Sequence, residues 1–325
     1  MNEAFKPGFF FRNPHLQTFL GRSKIRVRKE EHFRRASKAM VLDCGEGVRL
    51  LGYHTRQETG DAKGLIVLIH GWEGSADSTY ILATAGFFFR RGFDVFRLNL
   101  RDHGESHHLN EGLFHGALIR ETFQALQNIA ALPTYGRLYL IGFSLGGNFV
   151  LRLALKHSRE KEIPALTRVF AISPALDPHK ATVAIDNGWG VYRRYFLNKW
   201  KRSLRKKQAL FPELYDFKPL MKARSCMEMT ESIMIYYRDF SDFRDYFRQY
   251  TLVGPAFRGL SVPTTIMVSR DDPVIPTIDF HELHAQENLH LSVQPYGGHC
   301  GFIALPDFSC WYERRIDNAI TQDFS

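Results

Sequence analysis

Ile141-Gly142-Phe143-Ser144-Leu145-Gly146-Gly147 reads G-x-S-x-G, and it stands between a short aliphatic run at 137–141 and a run of helical period at 148–157. That setting says more than the pentapeptide alone. A serine on a tight strand-to-helix turn has its hydroxyl pushed clear of the backbone, and its neighbours must be small for the chain to turn so sharply. The helix that follows aims its free N–H groups and its positive end at the same place. The stretch therefore predicts a nucleophile at Ser144 with an anion-stabilising position beside it.

Outward from this turn, strand and helix signals alternate. Residues 38–54 carry two short strand-like runs around Cys44-Gly45-Glu46-Gly47, a predicted hairpin. Apolar strands are expected at 65–69, 93–100, 169–173, 262–269 and 289–296. Helices are expected at 79–91, 111–131 and 308–320, with another between the last two strands. Continuous apolar strands alternating with amphipathic helices predict an α/β fold with a mostly parallel sheet covered on both faces. The rhythm breaks once, at 178–258, where the chain turns aromatic, basic and helical in period. Its place between two sheet strands marks it as an insertion within a single domain spanning 1–325. The expectation is a helical cap over the carboxyl ends of the strands, where open α/β sheets place ligands.

Composition narrows the function classes. The 325 residues are 44% hydrophobic and 14% aromatic, with 27 Phe, ample for a large core or a greasy pocket. Cys44, Cys226, Cys300 and Cys310 show neither metal-ligand spacing nor a disulfide framework. A reducing, cytoplasmic setting is the default that follows, with no metal or cofactor required. The N-terminal stretch lacks a signal-peptide pattern, and no segment approaches a membrane span. Formal charge is +9, and 193–207 holds eight Lys or Arg and no acid. Such runs are usually solvated faces. No nucleic-acid motif accompanies the charge, so nucleic acid is not an expected partner.

A serine hydroxyl needs a base, and the base needs an orienting acid. His299 lies in Pro295-Tyr296-Gly297-Gly298-His299-Cys300-Gly301, directly after the last strand, where flanking glycines let a loop return over the sheet. His70, His103 and His115 are competitors, but each lies earlier in the chain. Asp271 and Asp272 follow the next-to-last strand, and Asp177 is a third candidate acid. An oxyanion needs two backbone donors. The N–H of Leu145 follows the nucleophile, and the N–H of Trp72 lies in His70-Gly71-Trp72-Glu73-Gly74-Ser75, the loop after the first long strand. The turn at 101–106 is expected to support that loop from beneath. Tyr192, Phe196, Trp200 and Leu204 recur at i, i+4 and share one helical face. That face can line a substrate pocket, pack in a core, or rest on an anionic membrane while the basic face meets lipid headgroups.

Together these residues resemble the α/β-hydrolase superfamily over nearly the whole chain. Within it they are similar to the YheT-like branch, also called the α/β-hydrolase 4 or EMB8 type. Asn13-Pro14-His15-Leu16-Gln17-Thr18 matches that branch's N-P-H-L-Q-T signature. HGWEGS resembles its H-G-x-x-G-S loop, with Trp72-Glu73 in place of the usual pair. Asp272 stands four residues before Pro276, as in the superfamily's D-x-[IV]-[IV]-P loop, which favours it over Asp271. The order Ser144, Asp272, His299 is that of the superfamily. The resemblance implies a serine hydrolase of carboxylic esters, including lipid-like acyl esters. Some relatives pass the acyl group to an alcohol instead, and a third reading is a non-catalytic binding protein on the same scaffold. The N-P-H-L-Q-T segment is expected to tie the N-terminal arm to the body.

Overall fold

The computed structural model describes residues 4–27, 30–58, 61–132 and 135–324. Among them, eight strands form one sheet: β1 (Lys38–Asp43), β2 (Arg49–Thr55), β3 (Leu65–Ile69), β4 (Asp94–Leu98), β5 (Leu138–Phe143), β6 (Leu166–Ile172), β7 (Thr264–Ser269) and β8 (Leu289–Gln294). Their order is β1-β2-β4-β3-β5-β6-β7-β8. The hairpin β1–β2 is antiparallel and β2 meets β4 antiparallel; every later neighbour pair is parallel. β3 and β5 are buried along their whole length, as the middle of a sheet covered on both faces requires.

Period-two alternation sorts those strands between two cores. Leu65, Val67 and Ile69 pack with α4 (Ile119–Ala130) and α5 (Leu145–Glu160), through Phe123, Leu126, Phe149 and Val150. Ile66 and Leu68 pack on the opposite face with α3 (Thr79–Phe89) and α11 (Trp311–Thr321), through Ile81, Phe88, Tyr312 and Ile316. Before the sheet come α1 (Pro14–Gly21) and α2 (Glu31–Ala36). Between β6 and β7 the chain makes only helices and turns: α6 (Pro178–Asn187), α7 (Gly190–Leu210), α8 (Cys226–Ile233) and α9 (Phe243–Arg248). Among the described residues no helix is long and apolar enough to cross a membrane.

Two helices differ from expectation. The pattern at 111–131 becomes a helix only from Ile119, because partners elsewhere claim the backbone before it. Phe114 N–H donates to Asp102, Gly116 N–H donates to the Tyr246 hydroxyl, and Arg152 donates to the Gly116 carbonyl. Between β7 and β8 the helix shrinks to one turn, α10 (Ile278–His281). The chain ahead of it is spent on a turn that Asp272 holds by accepting the N–H groups of Val274 and Ile275.

The basic helix α7 is also not a simple solvated face. Tyr192, Phe196, Trp200 and Leu204 are 3–9% exposed and belong to the larger core. Burying four such side chains contributes roughly 6–12 kcal/mol before ordering costs. In this fold the stripe is turned into the core. Several of its cations are fastened inward. Lys199 donates to the Glu73 carbonyl at 2.9 Å and Lys201 to the Ala223 carbonyl at 2.6 Å. Lys207 is buried, with its ammonium on Asp102 Oδ1 at 2.8 Å and on the carbonyls of His107, Asn110 and Gly112.

Candidate active site

Ser144 closes β5 and opens α5 with φ 54° and ψ −118°. A non-glycine residue is rarely found there, and the turn persists because its surroundings leave no alternative. A Cβ at Gly142 would strike the Gly146 carbonyl, and one at Gly146 would strike the carbonyls of Ile69 and His70. The glycines of the pentapeptide are therefore required by close approach of backbone to backbone. Ser144 N–H donates to the Ile172 carbonyl, which locks the turn to β6.

The hydroxyl meets a relay. Ser144 Oγ lies 3.0 Å from His299 Nε2, and His299 Nδ1 lies 2.9 Å from Asp272 Oδ2. The other Asp272 oxygen accepts N–H groups of Val274 at 2.8 Å and Ile275 at 2.9 Å. An acceptor on the Nδ1 side fixes the tautomer with Nε2 unprotonated, facing the hydroxyl. Both side chains are almost wholly buried.

The loop bearing His299 is held at four backbone groups on three successive residues. Asp271 Oδ1 accepts Gly298 N–H at 3.0 Å, and Ser269 Oγ donates to the Gly298 carbonyl at 2.9 Å. Thr18 Oγ1 accepts His299 N–H at 2.9 Å, and Ser173 Oγ accepts Cys300 N–H at 3.3 Å. Burial nonetheless pushes the Asp271 carboxyl up from the ordinary range. Thr18 belongs to the N-P-H-L-Q-T segment, and so does Gln17, which accepts Ile303 N–H at 2.7 Å and donates to the Ile303 and Phe11 carbonyls. Asn13 caps α1 by accepting the N–H groups of His15 and Leu16. Gly298 sits at φ 56° with Pro14 so close that a Cβ would strike its carbonyl. The segment does tie the arm to the body, and the point of attachment is the His299 loop. A short polar motif near the N-terminus shows no sign of that address.

The competing residues take other places. His70 Nε2 accepts Leu100 N–H and His103 Nε2 accepts Glu73 N–H, both at 3.2 Å, so each Nδ1–H donates to a nearby carbonyl. Burial lowers both imidazoles, His103 to about 4, and keeps them neutral props beneath the Trp72 loop. The 101–106 turn thus supports that loop as expected. His115 is lowered to about 3 by burial and sits among Tyr237, Phe240 and Tyr246. Asp177 caps α6 by accepting Lys180 N–H.

The Trp72 loop comes close to the hydroxyl: a Cβ on Gly71 would lie 3.6 Å from Ser144 Oγ. Leu145 N–H is in the first turn of α5, where no intrahelical acceptor exists. Trp72 N–H has no backbone acceptor among the described residues. The Trp72 indole stacks on Phe196 at 5.3 Å and meets Trp200 edge-on at 5.1 Å. A cavity opens from Ser144, walled by Leu145, Phe196, Trp200, Ile185, Tyr246 and Ile275, among others. Phe196 and Trp200 of the α7 stripe line it. Tyr192 does not: its hydroxyl bonds His15 Nδ1 at 2.9 Å and its ring stacks on Phe19, so it fastens α7 to α1. Its place on the shared stripe could not reveal this, because the stripe runs past the end of the cavity. All four cysteines are buried free thiols. No cluster of three His, Cys, Asp or Glu among the described residues is arranged to hold a metal.

Residues 64–304 match the family model described as alpha/beta hydrolase fold. The chain is similar to the "Putative esterase YheT" of Escherichia coli (strain K12), 26% identical over 321 residues, spanning 96% of this chain and 91% of that protein. It is also similar to mouse "Phospholipase ABHD3", 22% identical over 271 residues, spanning 79% of this chain and 63% of that one. Among solved structures, the esterase Pf2001 of Pyrococcus furiosus superposes with a TM-score of 0.58 at 15% identity, covering 88% of this chain and 90% of its own. At that identity the likeness is one of fold.

Proposed function

The chain belongs to the alpha/beta hydrolase fold family, and from that premise we propose that it is a serine hydrolase of carboxylic esters, with Ser144 as nucleophile, His299 as base and Asp272 as the acid that orients it. The observation that carries this reading is the unbroken relay of 3.0 Å and 2.9 Å contacts from Ser144 through His299 to Asp272. His299 Nε2 takes the hydroxyl proton as Ser144 Oγ attacks the ester carbonyl carbon. The oxyanion is received by the N–H groups of Trp72 and Leu145. The carbon–oxygen bond to the alcohol breaks, and the alcohol leaves with the proton from His299. Water then adds to the acyl-enzyme by the same route, and the acid departs. Asp272 stabilises the transient imidazolium without taking its proton.

The apolar cavity at Ser144 accommodates the acyl chain, and residues 178–258 act as the cap that roofs it. Phe196, Trp200 and Ile185 from that segment supply much of the wall. The relatives named as esterase and phospholipase are consistent with an acyl-ester substrate. The test is labelling with a fluorophosphonate and turnover of short acyl esters. Ser144→Ala is expected to abolish labelling and to lower kcat by roughly 10⁴-fold or more. Turnover retained in that variant would remove the assignment.

A further inference from the structure

Ser144 stands where two cavities meet. The larger is the apolar one just described. The smaller shares Trp72, Ser144 and Phe196 with it and adds Arg22, Tyr80 and His299. His299 lines only the smaller one. The base returns its proton to the departing oxygen, so the alcohol portion of an ester must lie on the His299 side, in the smaller cavity.

That cavity holds one charged side chain, Arg22. It caps the C-terminus of α1, and its backbone N–H is bonded to the carbonyls of Phe19 and Leu20. Its guanidinium lies over the Tyr195 ring at 4.8 Å and within 5.9 Å of the Phe196 ring. Among the described residues it has no carboxylate partner and donates no side-chain hydrogen bond. Arg26, Arg97, Arg101 and Arg168 each pair with a carboxylate, whereas Arg137, Arg152 and Arg315, like Arg22, rest against aromatic rings, and of these only Arg22 lines a cavity that reaches Ser144. Aromatic contact holds a guanidinium by its faces and leaves its in-plane N–H fork open. An open fork matches the two oxygens of a carboxylate or phosphate. Burial Tyr80 shares in this cavity pushes its phenol up to about 12, so it stays a neutral hydroxyl beside the guanidinium.

We propose that Arg22 reads an anionic group on the alcohol portion of the substrate, so that the preferred class is an acyl ester of an alcohol bearing a phosphate or carboxylate. This rests on the serine-esterase reading of Ser144 and His299. The net charge of +9 favours encounter with such a substrate.

The test uses three esters of one short acyl group with the full chain: a neutral glycerol monoester, the same monoester of glycerol 3-phosphate, and the acyl ester of glycolate. The last two separate phosphate from carboxylate as the source of the charge. In the parent protein kcat/KM is expected to be at least about 10-fold higher on one of the charged esters than on the neutral one. Arg22→Gln is expected to bring that ratio to about one, and Arg22→Lys, which keeps the charge without the fork, to an intermediate value. Equal kcat/KM on charged and neutral esters, or an Arg22→Gln variant that loses the same factor on all three, overturns the proposal and leaves Arg22 as packing for α1. Failure of Ser144 to label with a fluorophosphonate overturns the esterase reading first, and this proposal with it.

Discussion

Thr18 acts on the site without touching it, since its hydroxyl accepts the backbone N–H of His299. Thr18→Val removes the acceptor and keeps the shape. One buried donor left unpaired costs about 1–3 kcal/mol. A base displaced by a fraction of an ångström is expected to lower kcat roughly 10- to 100-fold with little change in KM. Thr18→Ser should restore most of the rate. Loss of stability with kcat intact would show that the bond only packs the arm. His103 makes a second residue-level prediction. Burial lowers its imidazole from 6.5 to about 4, because the folded loop needs a neutral acceptor for Glu73 N–H. The unfolded chain therefore takes the proton first as pH falls. The stability His103 contributes is complete above about pH 6.5 and is lost progressively toward pH 4. In urea unfolding, the gap between the parent and His103→Gln should shrink by about 3 kcal/mol from pH 7 to pH 4. An unchanged gap would mean that this imidazole does not titrate differently on folding.

At the scale of elements, α7 is fixed to the body by a buried ion pair as well as by its apolar stripe. Lys207→Met leaves Asp102 with no cation and three carbonyls with no donor. The expected cost is about 3–5 kcal/mol in urea unfolding. Adding Asp102→Asn should recover part of it, since an amide oxygen can still accept Phe114 N–H. A cost below about 1 kcal/mol would mean that water replaces the ammonium. The strands could be read directly from the chain, because residues buried on both faces leave unbroken aliphatic runs such as Leu65–Ile69. Ser144, Asp272 and His299 could be read as candidates because each stands in a loop just after such a run. The start of α4 could not. Residues 111–118 have helical period, and what unwinds them is a set of hydrogen bonds to Lys207, Arg152, Tyr246 and Asp102, none of them adjacent in sequence. Lys207 itself reads as one more surface charge, and only the fold reveals Asp102 beside it.

For the molecule as a whole, the cavity between the sheet and the helices of 178–258 should set which acyl chains are accepted. Ala181 lies on its wall and is nearly buried. Ala181→Leu takes up space there and should move the chain-length optimum toward shorter esters. About 10-fold is the expected loss on the longest good substrate, since one or two methylenes in an apolar pocket are worth 1–3 kcal/mol. A parallel drop across all lengths would place the acyl chain elsewhere. The clasp from α1 to the His299 loop has a different reach. Thr18 and His299 are 281 positions apart, and Gln17 and Ile303 are 286 apart. A ribosome completes the turn around Ser144 well before the His299 loop emerges, 155 positions later. The nascent protein would therefore carry its serine unarmed over that interval, and competence would arrive only when α1 and the His299 loop find each other.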